Sequence, residues 1–169
     1  MKKLSLILAV SVASLLISSP VAAAKTGQDT WIDPQYVKYA EEAGEEFGIQ
    51  PELIESIIEH ESSGNPKASN GSCKGLMQVY ESVHKDRMRR LGVSNLYDPE
   101  GNIRVGCSIL VELFEKSDDC AWVMMSYNGS SDAKRRAENF DFTKYAQSVM
   151  DRAYELETIH GKHNYKEDK

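Results

Sequence analysis

Apolar residues recur at intervals of three and four through most of this chain, and no stretch alternates apolar and polar side chains long enough for a confident strand. Helices follow from that spacing, because a 3.6-residue period gathers such positions on one face. Asp33-Pro34 and Asp98-Pro99 each set a capping carboxylate before a first-turn proline, and Gly48 and Gly92 stand where apolar stripes stop. The spacing predicts helices from Asp33 to Gly48, from Pro51, from Gly75 to Leu91, from Asp98 through Phe114 and from about Asp119 to Tyr127. A last amphipathic helix carries Phe142, Tyr145, Ala146, Val149, Ala153, Leu156 and Ile159 up to Gly161. The unbroken apolar run Ala121 to Met125 predicts a short central helix, and residues 63–74, the longest run of breakers, predict a loop with at most a vestigial β-hairpin.

A chain of 169 residues with 41% hydrophobic content supports one core and excludes two full-sized domains. Its formal charge of −6, with no compensating basic run, argues against nucleic acid as a partner. At the start, Lys2 and Lys3 precede an apolar run from Leu4 to Ile17, closed by Pro20 and followed by Ala22-Ala23-Ala24. This pattern reads as a signal peptide over residues 1–24 rather than a membrane span. The expected layout is then a linker over 25–32, one domain over 33–161 and a polar tail over 162–169. Export to the cell envelope or beyond permits disulfides, but Cys73, Cys107 and Cys120 are odd in number. Cys73 with Cys107 is the favoured pairing, and three reduced thiols the alternative.

The informative position is Glu61. In the helix from Pro51, Leu53, Ile54, Ile57 and Ile58 form the apolar stripe, and a 3.6-residue period projects its next inward position onto residue 61. A carboxylate stands where a core residue is due. Partial desolvation there would hold its proton near neutral pH, which is what a general acid needs. Glu52, Glu55 and Glu59 fall on the opposite, wet face by the same projection. His60-Glu61 lacks the second histidine of a zinc motif, since Gly64 occupies that place, and His84, His160 and His163 are expected to face solvent.

Four blocks then matter together. In order, Glu61-Ser62-Ser63-Gly64-Asn65-Pro66-Lys67-Ala68, Gly75-Leu76-Met77-Gln78-Val79, Asp98-Pro99 with Asn102-Ile103 and Gly106, and Tyr127-Asn128-Gly129 resemble the soluble lytic transglycosylases of the lysozyme-like superfamily. The resemblance implies a mainly α, lysozyme-like domain acting on peptidoglycan glycan strands. The implied reaction breaks the β-1,4 bond from N-acetylmuramic acid to N-acetylglucosamine without water, leaving a 1,6-anhydro ring. Glu61 would be the catalytic residue, first acid and then base, with no metal or organic cofactor. Ser62 would bond near the carboxyl, Met77 would wall the cleft, Gln78 and Asn128 would hold substrate, and Tyr127 would set its hydroxyl against Glu61 or the sugar. Leu76 and Met77 read equally as core, and Asn102 as a first-turn residue.

This chain departs from the family's usual pattern at Tyr80-Glu81-Ser82-Val83-His84, where a proline and a threonine are common, and at Gly129-Ser130. A monomer is expected, with no membrane attachment once the leader is removed. It leaves the setting open among wall remodelling, sporulation, phage release and a secretion or conjugation assembly. Lys85, Arg87, Arg89, Arg90, Lys134, Arg135 and Arg136 read first as solvated helix faces. A lysozyme-type hydrolase is the near alternative and needs a second carboxylate, for which Glu81 and Asp98 are the neighbouring candidates. A non-catalytic glycan-binding or assembly module is the other.

Overall fold

The computed structural model describes residues 30–162. The predicted leader, most of the linker, His163 and the rest of the tail lie outside the described residues. Seven helices and one small sheet follow in the order α1 (Pro34–Phe47), α2 (Pro51–Ser62), β1 (Ser69–Asn70), β2 (Cys73–Lys74), β3 (Val79–Tyr80), α3 (Glu81–Arg90), α4 (Pro99–Phe114), α5 (Cys120–Tyr127), α6 (Ala133–Glu138) and α7 (Lys144–Ile159). The strands pair antiparallel in chain order, with Asn70 opposite Cys73 and Cys73 opposite Tyr80.

Local chemistry sets the helix ends as the sequence predicts. The Asp33 side chain accepts from the Gln35 amide and that of Asp98 from the Gly101 amide, each followed by proline in the first turn. Gly48 closes α1 at φ 69°, a conformation that costs a residue without Cβ little. Packing then places α2 at the centre, held between α1 and α7, while α5 lies against α4, α6 and α7. Ile54, Ile57 and Ile58 are fully buried, as are Val123, Met124 and Met125 of α5, so the short central helix is where the apolar run put it.

Three expectations are corrected. The helix predicted from Gly75 begins only at Glu81, because residues 75–80 form a turn and a strand instead. Gly75 and Gln78 both have positive φ, 77° and 46°, which no helix accommodates. The segment 25–32, read as linker, ends inside the core: Thr30 and Ile32 are buried, and Thr30 Oγ1 donates to Glu59 Oε1 at 2.7 Å. All three cysteines are free thiols, so the favoured Cys73–Cys107 bond is not formed. Cys107 is buried in α4, and burial pushes its thiol up to about 12.

Candidate active site

The stripe of α2 delivers Glu61 to the last turn of the helix, which stays helical through Ser62. Ser63 then takes the left-handed conformation at φ 53° and its amide bonds back to the Ile58 and Glu59 carbonyls. This abrupt stop leaves Glu61 at the mouth of a cleft of about 450 Å³. Asn70, Cys73, Gln78, Tyr80, His84 and Asn128 also line that cleft, and Glu61 is its sole carboxylate among the described residues. Tyr145 of α7 donates its hydroxyl hydrogen to Glu61 Oε1 at 2.6 Å. Burial raises the Glu61 carboxyl above its usual value, and the Tyr145 hydrogen bond and the nearby His60 pull against that only in part.

The floor is an interlock of the motif residues. Asn102 is fully buried and bonds in three directions: its Oδ1 accepts from the Met77 amide at 2.8 Å, and its Nδ2 donates to the Lys74 and Leu96 carbonyls, both at 2.9 Å. A Cβ on Gly75 would stand 2.3 Å from Asn102 Nδ2, and one on Gly106 would stand 2.4 Å from Met77 Sδ. Both glycines are therefore demanded by close approach. The Tyr127 hydroxyl donates to the Met77 carbonyl at 2.9 Å, tying α5 to the same turn. Gln78 lies at the end of that turn with Nε2 donating to the Gly75 carbonyl at 2.9 Å, and its side chain faces the cleft.

Several residue roles change as a result. Glu61, Gln78, Tyr127 and Asn128 meet at one cleft, as the resemblance implies. Met77, expected as a cleft wall, is fully buried and packs against Gly106. Ser62, expected near the carboxyl, donates back to the Ile58 carbonyl of its own helix at 3.1 Å. Tyr127 spends its hydroxyl on Met77, and the hydroxyl on Glu61 belongs to Tyr145, which the sequence presents only as part of an apolar stripe. The available signal was that a buried tyrosine needs a partner for its O–H. Asn102, read as a first-turn residue, is the floor's central bracket. Of the two carboxylates considered for a second acid role, Asp98 caps α4 and Glu81 pairs with Lys74, and neither lines the cleft.

The larger correction concerns the face of α2 expected to be wet. Glu52, Glu55 and Glu59 are 2%, 1% and 4% exposed, on a helix packed between α1 and α7. Arg152 Nε donates to Glu59 Oε2 at 2.7 Å, while His160 and Lys162 bond the two oxygens of Glu52 at 2.8 and 2.7 Å. His160 is thus a partner of a buried acid rather than a solvent-facing residue. Burial alone would raise the Glu52 carboxyl, but the Lys162 and His160 hydrogen bonds outweigh it and hold it below the usual value. Glu55 accepts no such hydrogen bond from the described residues, and the charge of Lys162 offsets its burial only in part. Its Oε2 is buried without a partner among the described residues, and burial, with Glu52, Glu59 and Glu41 adding repulsion, pushes its carboxyl up to about 8.

A mainly helical domain with a small antiparallel sheet, carrying one carboxyl in a cleft between them, has the architecture of the lysozyme-like class. Within that class the model of the transglycosylase SLT domain family matches residues 38–149, and the chain belongs to that family. It is similar to a transglycosylase of Enterobacteria phage PRD1, at 33% identity over 53% of this chain and 32% of the phage protein. It is also similar to the endo-type membrane-bound lytic murein transglycosylase A of Klebsiella pneumoniae, at 40% identity over 45% of this chain and 41% of that protein. The protein of the same description from Salmonella paratyphi B matches to the same extent. The chain thus spans well under half the length of these relatives.

Proposed function

We propose that this protein is a peptidoglycan lytic transglycosylase, and that Glu61 breaks the bond from N-acetylmuramic acid to N-acetylglucosamine without water, as acid and then as base. One observation carries the reading: among the described residues, a single carboxyl lines the cleft, and it is half-buried and held by a hydroxyl. A carboxyl kept above its usual value retains a proton at neutral pH and can pass it to the departing glycosidic oxygen. The carboxylate so formed takes the proton of the muramyl 6-hydroxyl as that oxygen closes onto C1. Proton, bond and charge then balance with no water consumed. The substrate's own N-acetyl group shares the oxocarbenium-like charge, as in other substrate-assisted glycosidases.

The neighbouring groups fit these steps. Because Tyr145 occupies Oε1, the proton in transit belongs on Oε2, and the hydroxyl stabilises the carboxylate between the two transfers. Gln78 and Asn128, both lining the cleft, offer amides to the sugar's acetamido and hydroxyl groups. A hydrolase acting through a positioned water normally uses a second carboxyl, and the positions of Asp98 and Glu81 favour the non-hydrolytic route. The reading places the protein at the cell wall, exported by its leader; no helix among the described residues is long and apolar enough to cross a membrane.

Mass spectrometry of the fragments released from purified cell wall tests this. Anhydro-muropeptides are expected, and products heavier by one water would replace the proposal with a hydrolase. Glu61→Gln separates either enzyme from a binding module, since it abolishes fragment release only if the carboxyl reacts.

A further inference from the structure

Beyond the acid the cleft runs on along β3 and the start of α3, past the residues used so far. Tyr80 and His84 line it there, and neither side chain makes a hydrogen bond or ion pair with another described residue. Tyr80 is 45% exposed, an open aromatic ring in a lining that also includes Val79, Ile109 and Tyr127. It is the register partner of Cys73, so both side chains stand on the same side of the sheet, and both line the cleft.

His84 sits at a break in α3. With φ −106° and ψ 17° it is the residue of that helix outside the helical range, and its half-buried ring faces the cleft. Two charges act on it, Arg87 from its own helix and Glu112 from α4. Burial, with Arg87 adding to it and Glu112 opposing, holds its imidazole below the usual value. At neutral pH the ring is uncharged, with one nitrogen to donate and one to accept.

An open aromatic face beside a neutral donor and acceptor suits a pyranose. The sugar's C–H face rests on the ring, and its hydroxyl or acetamido groups exchange hydrogen bonds at the edge. No lysine or arginine lines the cleft among the described residues, which favours a neutral sugar over a peptide-stem carboxylate. We propose that Tyr80 and His84 form a glycan subsite of the cleft, where Tyr80 carries an N-acetylhexosamine ring and His84 bonds its polar edge. This rests on the reading of Glu61 above.

Steady-state release of muropeptides by the full chain tests it. For Tyr80→Ala, KM is expected to rise roughly tenfold with kcat little changed, since uniform binding is lost. Tyr80→Phe and Tyr80→Trp should keep KM near the parent value, whereas Tyr80→Leu should not, a contrast that a merely apolar surface would not produce. For His84→Ala the rise is smaller, about three- to fivefold, and His84→Gln restores most of it. The same variants placed on Glu61→Gln should lose affinity for N-acetylglucosamine oligomers in the same order, measured by calorimetry. Unchanged KM and affinity in Tyr80→Ala and His84→Ala, or Tyr80→Leu matching Tyr80→Phe, would overturn the subsite. Full turnover by Glu61→Gln would instead overturn the acid itself, so the two failures are distinct.

Discussion

Four glutamates of α2 leave water when this chain folds, and their environments sort them. Glu52 and Glu59 meet cations from α7 and the residues after it, Glu55 meets nothing for one of its oxygens, and Glu61 meets a tyrosine hydroxyl at the edge of a cleft. Both Glu55 and Glu61 are held above the usual carboxyl value by burial, yet only Glu61 opens onto space where a sugar can enter. A raised carboxyl pKa therefore marks desolvation, and access to a cleft is what turns desolvation into chemistry.

The comparison breaks most sharply at Glu61. Glu61→Gln should lower kcat about 10³-fold or more, with a thermal transition near the parent's, because the amide cannot deliver a proton and little packing changes. If Glu55→Gln lost turnover to the same degree, the two ends of the helix would not be functionally distinct. Next in size is Arg152→Ala, which strips the cation from a carboxylate that is 4% exposed. Breaking such a buried pair costs about 3–5 kcal/mol, read as a lowered denaturant midpoint, with kcat retained below the unfolding transition.

Glu55 gives a pH signature. Its folded value of about 8 stands above the ordinary 4.5, so between those limits the folded state holds a proton that the unfolded chain has released. Stability then falls as pH rises through that window, by up to about 1.4 kcal/mol per pH unit, and levels off above it. Glu55→Gln should flatten this slope and stabilise the protein by about 2 kcal/mol at the alkaline end, measured by urea unfolding at a series of pH values. A parent protein equally stable across the window would mean that Glu55 finds a partner. The smallest effect belongs to Tyr145→Phe. Removing the hydrogen bond that lowers the Glu61 carboxyl moves the alkaline limb of the activity profile upward, and kcat falls about tenfold. A limb that stays in place would separate Tyr145 from the acid.

Much of the frame was legible locally. Asp33-Pro34, Asp98-Pro99 and Gly48 act within one turn of themselves, so their capping roles survive into the structure unchanged. The Ile54, Ile57 and Ile58 stripe pointed Glu61 inward for the same reason: a helix places its side chains by its own period. The other face of that helix was not legible in this way. Periodicity names one apolar stripe and assigns the rest to water, and it has no way to foresee that α7 and the residues after it arrive with Arg152, His160 and Lys162 to pair with Glu59 and Glu52. Residues 75–80 escape the pattern likewise, because Gly75 and Gln78 take positive φ, which no helix accommodates.

The chain alone therefore determined that the domain is mainly helical, where α1 and α4 start and where α1 stops, and that one carboxylate would end up on an apolar face. Those properties depend on neighbours within four residues. The tertiary structure decided the rest: that Tyr145, 84 residues from Glu61, supplies the hydroxyl; that Tyr127 and Asn102 hold the floor; and that Tyr80 and His84 share the cleft. Such pairings rest on helix packing and on the obligation of every buried polar group to find a partner, and both are settled only when distant segments meet.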